Sequence, residues 1–407
     1  MYQVFKEFIS TSALKKNFQK SLLVSSIALL AACGSEDEDN FISPVNEELV
    51  ELTADTSPIT LEFGVSADFY GDETYGTDSR NVFDIFLPES EEPTSLVIYI
   101  HGGGFFAGQK EAAYATPDDI NDVLESGAAF ATINYSLLDV PGFNSATSND
   151  TEGLNKPLSD IREALQYIRY NAKTFNIDPQ KVASYGVSAG AVSSLWLAYS
   201  DDMIDKNSDD PQEQQSTRIS VAGAIETQGS LDLVRWEEIL ALPNVSLEQA
   251  ASLGGGPFME AVYGLADDSG NGYVNTLTSI RETSGDLATY RKTLDLPALI
   301  DANDPPAFVS NTAVSMGDTN AAFIRISLIP SELQAAMIAE DTEEVSALQI
   351  EAATLQGLLI NALLHFPTHA KIIKDYAELA GATVELNAPA FAQTSSTTVI
   401  PFLLENL

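Results

Sequence analysis

The chain has 407 residues, 44% of them hydrophobic, which is enough apolar content to fill a large core and exclude wholesale disorder. Against 20 Lys and Arg stand 59 Asp and Glu, a formal net charge of −39. That balance excludes nucleic acid as a partner, because phosphate backbones demand cations, and it suits a solvated acidic surface. At about 150 residues per domain the length fits two or three domains, or one large α/β domain with insertions.

The first segment reads as an address. Lys6, Lys15, Lys16 and Lys20 precede a short apolar run over 21–32, too short for a membrane span of roughly 20 residues. Cys33, the sole cysteine, follows directly. Leu30-Ala31-Ala32-Cys33 resembles the bacterial lipobox, which implies a signal peptide over 1–32, lipidation at Cys33 and membrane attachment at the bacterial cell envelope, the outer membrane being the expected location. Residues 33–55 are expected to form an acidic tether, since Ser35 to Asn40 reads SEDEDN. The folded domain is expected over 56–407.

Alternation of apolar and polar residues predicts a strand over 59–65. Further strands are predicted at 82–87 and 95–100, the second almost wholly apolar and suited to burial on both faces. Another follows at 128–135. Leu158, Ile161, Leu165 and Ile168 mark a helix over 157–175. A strand at 181–185 leads through a glycine-bounded turn into a helix ending near Tyr199. Strands at 219–225 and 307–314, a helix at 368–380, a strand at 383–386 and a helix at 396–405 complete the pattern. Alternating strands and helices predict an α/β class with a mostly parallel sheet covered on both faces. Insertions are expected at 201–218, 228–300 and 319–360, the last apolar and helical, either a lid or an accessory helix pair.

Two motifs carry chemistry. Gly186-Val187-Ser188-Ala189-Gly190 follows a strand and opens a helix, the setting that the G-x-S-x-G turn requires. Such a turn lifts a serine hydroxyl clear of the sheet and aims the next N–H at developing negative charge. His101-Gly102-Gly103-Gly104-Phe105 follows the buried strand at 95–100. Successive glycines let backbone N–H groups approach a ligand closely, as an oxyanion hole needs.

With these two motifs in this order the sequence resembles the α/β-hydrolase family, in particular carboxylesterases and lipases of the HGGG type. The segments Leu158-Ser159-Asp160, Asn176-Ile177-Asp178-Pro179 and Asp304-Pro305-Pro306 extend the resemblance. It implies the α/β-hydrolase fold, a small-molecule ester substrate and no cofactor or metal. It also implies Ser188 as nucleophile, with Gly103, Gly104 and Ala189 supplying oxyanion N–H groups.

A serine needs a base, normally a histidine held by an acid. The family keeps that histidine after the last strand, where this chain reads Asn387 to Ser395 without one. Only His101, His365 and His369 exist. His365 is the expected base, at the start of the helix that follows the acid-bearing strand, with His369 and His101 as the other candidates. Asp318, the nearest carboxylate after the strand at 307–314, is the expected acid. The opposing reading is a non-catalytic binding or surface protein that has lost its base. Asp267 to Asn275 resembles the start of a calcium loop but has Thr278 at the twelfth place, so it is expected to be a plain polar loop.

Overall fold

A computed structural model describes residues 43–144, 151–240 and 246–407. The expected signal segment and Cys33 lie outside the described residues.

Eight strands form one sheet in the order β1-β2-β4-β3-β5-β6-β7-β8. They are β1 (Ala67–Thr74), β2 (Val82–Pro88), β3 (Thr94–Ile100), β4 (Ala129–Ile133), β5 (Ile177–Val187), β6 (Val221–Ile225), β7 (Ala307–Ser310) and β8 (Val384–Asn387). The pairs β1·β2 and β2·β4 are antiparallel, and every pair from β4 through β8 is parallel. All the parallel strands therefore point their carboxyl ends at one edge, which is where crevices form in such sheets.

The pleat divides the side chains between two cores. From β3, Leu96, Ile98 and Ile100 enter one core while Val97 and Tyr99 enter the other. From β4, Ala129, Ala131 and Ile133 separate from Phe130 in the same way. This is the two-residue period of an extended chain with both faces buried. Each fully buried Leu, Ile or Phe contributes about 2–3 kcal/mol by leaving water.

Helices α1 (Pro117–Glu125), α2 (Asn155–Tyr170) and α3 (Ala189–Tyr199) cover the sheet early in the chain. A long hairpin follows β7, formed by α4 (Met316–Ile338) and α5 (Thr342–Leu364), and then α6 (Pro367–Ala380) and α7 (Val399–Glu405) complete the layers. Ile120 and Val123 of α1 share a core with Val399 and Leu403 of α7. Leu158 and Ile161 of α2, Leu195 of α3 and Ile373 of α6 fill the opposite face.

The predicted strand at 59–65 does not form. Val65 N–H turns back onto the Glu62 carbonyl, Gly64 has φ +96°, and Phe63 is fully exposed. The edge strand β1 lies just beyond it, and its mixed sequence ADFYGDET gave no alternating signal. Helix α1 was also not predicted. Part of the expected tether is docked: Asn46 donates to the Tyr170 carbonyl and to Asn171, and Val50 N–H bonds Thr174 Oγ1.

The α4–α5 hairpin packs mainly on itself, around Ile329, Ala336 and Leu348. Arg325 pairs with Glu332 on its own helix and with Glu351 on the other, each at 2.7 Å. Ile324, Leu328, Ile338, Ile350 and Leu358 remain exposed on it. Among the described residues, Gly317–Ile338 and Thr342–Ala380 are long and apolar enough to cross a membrane by length and composition alone. The second stretch breaks at His365 and Phe366, and its α6 half packs Ala370, Ile373 and Ala377 under the sheet with no exposure.

Candidate active site

Ser188 stands between the carboxyl end of β5 and the first turn of α3, with φ 55° and ψ −118°. A serine held there costs about 1–3 kcal/mol, which the surrounding packing must supply. Ser188 N–H bonds the Ile225 carbonyl at the end of β6 (2.9 Å), and the Ser188 carbonyl accepts from Val192 N–H (3.0 Å). The hydroxyl is thus presented at the carboxyl edge of the sheet.

The glycine loop lies directly against this turn. A Cβ on Gly102 would come within 2.7 Å of the Val187 carbonyl oxygen and 3.4 Å of Ser188 Cβ. Gly103 and Gly104 both have positive φ, 113° and 62°. Among the described residues no acceptor takes the N–H of Gly103, Gly104 or Ala189.

His365 is the C-cap residue of α5. Its Nε2 lies 2.9 Å from Ser188 Oγ, and its Nδ1 lies 3.1 Å from Asn361 Oδ1, one turn earlier on the same helix. With the proton on Nδ1, that N–H donates to the Asn361 amide oxygen and Nε2 accepts from the serine hydroxyl. Burial pushes the His365 pKa below the ordinary imidazole value, and the Glu226 carboxylate and the Asn361 backbone oppose that shift only in part. The imidazole is therefore neutral, and able to accept a proton, near pH 7.

Residues 83–276 match a family model described as BD-FAE. The chain has the α/β-hydrolase fold. It is similar to Acetylcholinesterase-1 of Trittame loki, 37% identical over 112 residues, covering 28% of this chain and 19% of that protein. It is also similar to Gut esterase 1 of Caenorhabditis elegans, 27% identical over 168 residues, covering 40% of this chain and 29% of that protein. The matched stretch thus spans less than a third of these curated relatives' length. Among solved structures, a truncated carbohydrate esterase from gut microbiota superposes with a TM-score of 0.49 at 15% identity, covering 85% of this chain and 98% of that one.

Ser188, His365, Ala189 and the Gly102–Gly104 loop converge at the carboxyl edge of the sheet, whereas Asp318 does not join them. It sits exposed in the first turn of α4, where its N–H bonds the Ser315 cap (3.3 Å) and its charge suits the helix N-terminus. The strand before it ends at Ser310, so the intervening residues carry Asp318 into the helix instead of leaving it on the strand-end loop. The group that meets His365 Nδ1 is the neutral amide of Asn361.

The other two histidines are structural. His369 is fully buried, accepts from Gly229 N–H on Nδ1 (3.0 Å) and donates from Nε2 to the Leu363 carbonyl (2.9 Å). Burial pushes its pKa down to about 4, the Leu363 carbonyl opposing and His365 adding to the shift. Its bond to Leu363 steadies the turn that carries His365. His101 is stacked on Tyr135 with ring centroids 4.2 Å apart and has Nδ1 on the Gly102 carbonyl at 2.7 Å. Burial lowers it too, to about 4.

Several supporting residues escaped sequence reasoning. Arg80 donates to the Tyr135 and Gly108 carbonyls (2.8 and 2.9 Å), and Tyr135 Oη donates to the His101 carbonyl (2.9 Å). Lys110, almost wholly buried, pairs with Asp84 at 2.8 Å, and Tyr114 also bonds Asp84. Burial pulls the Lys110 pKa down, but bonds to Asp84 and Asp72 outweigh it and hold the ammonium above its ordinary value. This buried pair pins the far end of the glycine loop, and removing one partner would strand a charge in the core. In the polar loop, Asp268 accepts from Asn275 N–H (2.6 Å) and Thr276 N–H (3.3 Å), so it caps the Val274–Ile280 helix. A cavity of about 420 Å³ lined by Thr312, Ala313, Val314, Ser315, Pro389 and Ala390 opens at the loop following β7.

Proposed function

We propose that the protein hydrolyses carboxylic esters of small molecules through an acyl-enzyme. The observation that carries this reading is the 2.9 Å contact between His365 Nε2 and Ser188 Oγ at a strained strand-to-helix turn. Ser188 Oγ attacks the acyl carbon as its proton passes to His365 Nε2. The carbonyl electron pair moves onto oxygen, facing the N–H groups of Gly103, Gly104 and Ala189. His365 then returns the proton to the leaving alcohol as the C–O bond breaks, and water releases the acid by the same steps. Each fixed oxyanion donor is worth about 3–4 kcal/mol to such a step. The esterase names of the similar proteins point the same way. A binding protein that has lost its base would require every imidazole to lie out of reach of Ser188, and the contact disfavours that alternative. The lipobox supports placing the enzyme on an envelope membrane through Cys33.

Treatment with a fluorophosphonate should add one adduct to the intact mass, on the peptide containing Ser188, and should abolish hydrolysis of p-nitrophenyl acetate. A folded protein with neither adduct nor turnover would end the esterase reading. The lowered His365 pKa sets the acid limb of kcat/KM. The base is neutral above its pKa, so activity should persist below pH 6.5 and fall only as the pH drops through that lowered value. An acid limb centred above pH 6.5 would contradict the assignment.

A further inference from the structure

We propose that Glu226 supplies the negative charge that stabilises protonated His365, so that orientation and charge, usually joined in one acid, are divided between Asn361 and Glu226. The inference rests on the esterase reading and extends it to a positioning residue.

Glu226 follows β6 at the carboxyl edge of the sheet, one residue after the carbonyl that holds Ser188 N–H. Its φ is +52°, a conformation that an L residue adopts only under constraint. Its own N–H bonds the Ser310 carbonyl at 2.6 Å. One carboxylate oxygen is fixed by three donors: Thr312 N–H (2.7 Å), Ala313 N–H (2.9 Å) and Thr312 Oγ1 (3.2 Å). The other oxygen, Oε2, is buried and has no hydrogen-bond partner among the described residues. A buried, unpaired carboxylate oxygen is costly and calls for an explanation.

His365 provides one. Asn311 Nδ2 donates both to the Thr227 carbonyl (2.9 Å) and to the His365 carbonyl (3.3 Å), clamping the Glu226 turn to the His365 turn. Among the described residues, the charged or titratable groups that act on the imidazole are Glu226, just after β6, and His369 of α6, which is neutral. Asn361 aligns Nδ1 but brings no net charge. When Nε2 takes the serine proton, Glu226 is the carboxylate among the described residues whose charge acts on the new cation. The open C-terminal carbonyls of α5 add to the same field.

The three histidines make a direct measurement simple. Nitrogen-15 labelling of histidine and NMR titration of full-length Glu226→Gln should show the His365 pKa falling below wild type while His101 and His369 stay put. The acid limb of kcat/KM should move down with it, and kcat should drop about 10-fold or more, with partial recovery in Glu226→Asp. Circular dichroism and thermal unfolding check that the isosteric variant is folded. If Glu226→Gln misfolds, Glu226→Asp carries the test, since a shorter side chain should also lower the His365 pKa. A folded variant whose His365 titration and acid limb superimpose on wild type would overturn the role of Glu226. Failure of wild type itself to accept a phosphonate would instead sink the esterase reading.

Discussion

Replacing His365 with alanine is expected to lower kcat/KM for short-chain esters by about 10⁴-fold, with little change in melting temperature. Without Nε2 at 2.9 Å, the Ser188 proton has no acceptor, and the residual rate comes from the oxyanion donors and binding alone. Members of such a unit are not additive, so Ser188→Ala combined with His365→Ala should be scarcely worse than either single change. His369→Ala should behave oppositely. That ring is fully buried with both nitrogens bonded, and its loss should cost about 2–4 kcal/mol of stability. Turnover should fall far less than in His365→Ala. Steady-state kinetics alongside thermal unfolding separates the two, and a reversed ranking would move the base to His369.

Gly190→Ala is expected to be the most disruptive single methyl addition in the nucleophile turn. Its Cβ would lie 1.9 Å from the Ile100 carbonyl oxygen, 2.6 Å from the Ile100 carbonyl carbon and 2.7 Å from the His101 carbonyl oxygen. All three are backbone atoms, so no side chain can rotate away, and α3 must lift off β3. The cost should exceed the ~3 kcal/mol of ordinary overpacking. Any molecules that fold would hold Ser188 displaced from the Gly102–Gly104 loop, and about 1 Å of misplacement removes roughly 100-fold in rate. Gly357→Ala supplies the contrast. That position is in the interior of α5 with nothing within 4 Å of a Cβ, so the substitution should stabilise by up to about 1 kcal/mol. Denaturant unfolding of both variants tests the pair. Near-equal stabilities would mean that the packing around Gly190 is looser than described.

The parts of the site that were legible in the sequence are those encoded by neighbouring residues. GVSAG and HGGG are local patterns whose conformations follow from missing side chains, and each follows an apolar run that could only be a buried strand. The His365 placement was legible from chain order, because the turn after the hairpin comes back to the carboxyl edge of the sheet. Asn361 was not. An asparagine in an apolar helix reads as a solvated residue, and only the α5 C-cap geometry brings its amide under the imidazole. Glu226 was hidden for a similar reason, as a single carboxylate following an apolar strand looks like a loop residue. Asp318 misled because distance along the chain after β7 was counted as loop, whereas Ser315 starts a helix there. In the fold, β1 and α1 were missed because edge strands and short helices carry mixed sequences whose burial is decided by distant partners.

The α4–α5 hairpin has a small core of its own. The nucleophile belongs to the sheet, but the imidazole and its aligning amide both belong to the end of α5, so the two halves of the site are not equally stable. The part of the hairpin that packs on itself is expected to open at a lower free energy than the sheet, whereas its His365 end is held by Asn311, by the Gln228 bond to the Leu364 carbonyl and by Ala362 packed with Leu240 and Val314. An excursion that also broke those end contacts would keep all eight strands, both principal cores and the strained serine, yet leave the hydroxyl without a proton acceptor. Under the proposed mechanism, turnover would be an intrinsic rate multiplied by the fraction of molecules in which the His365 end stays docked, making activity a readout of local order outside the sheet.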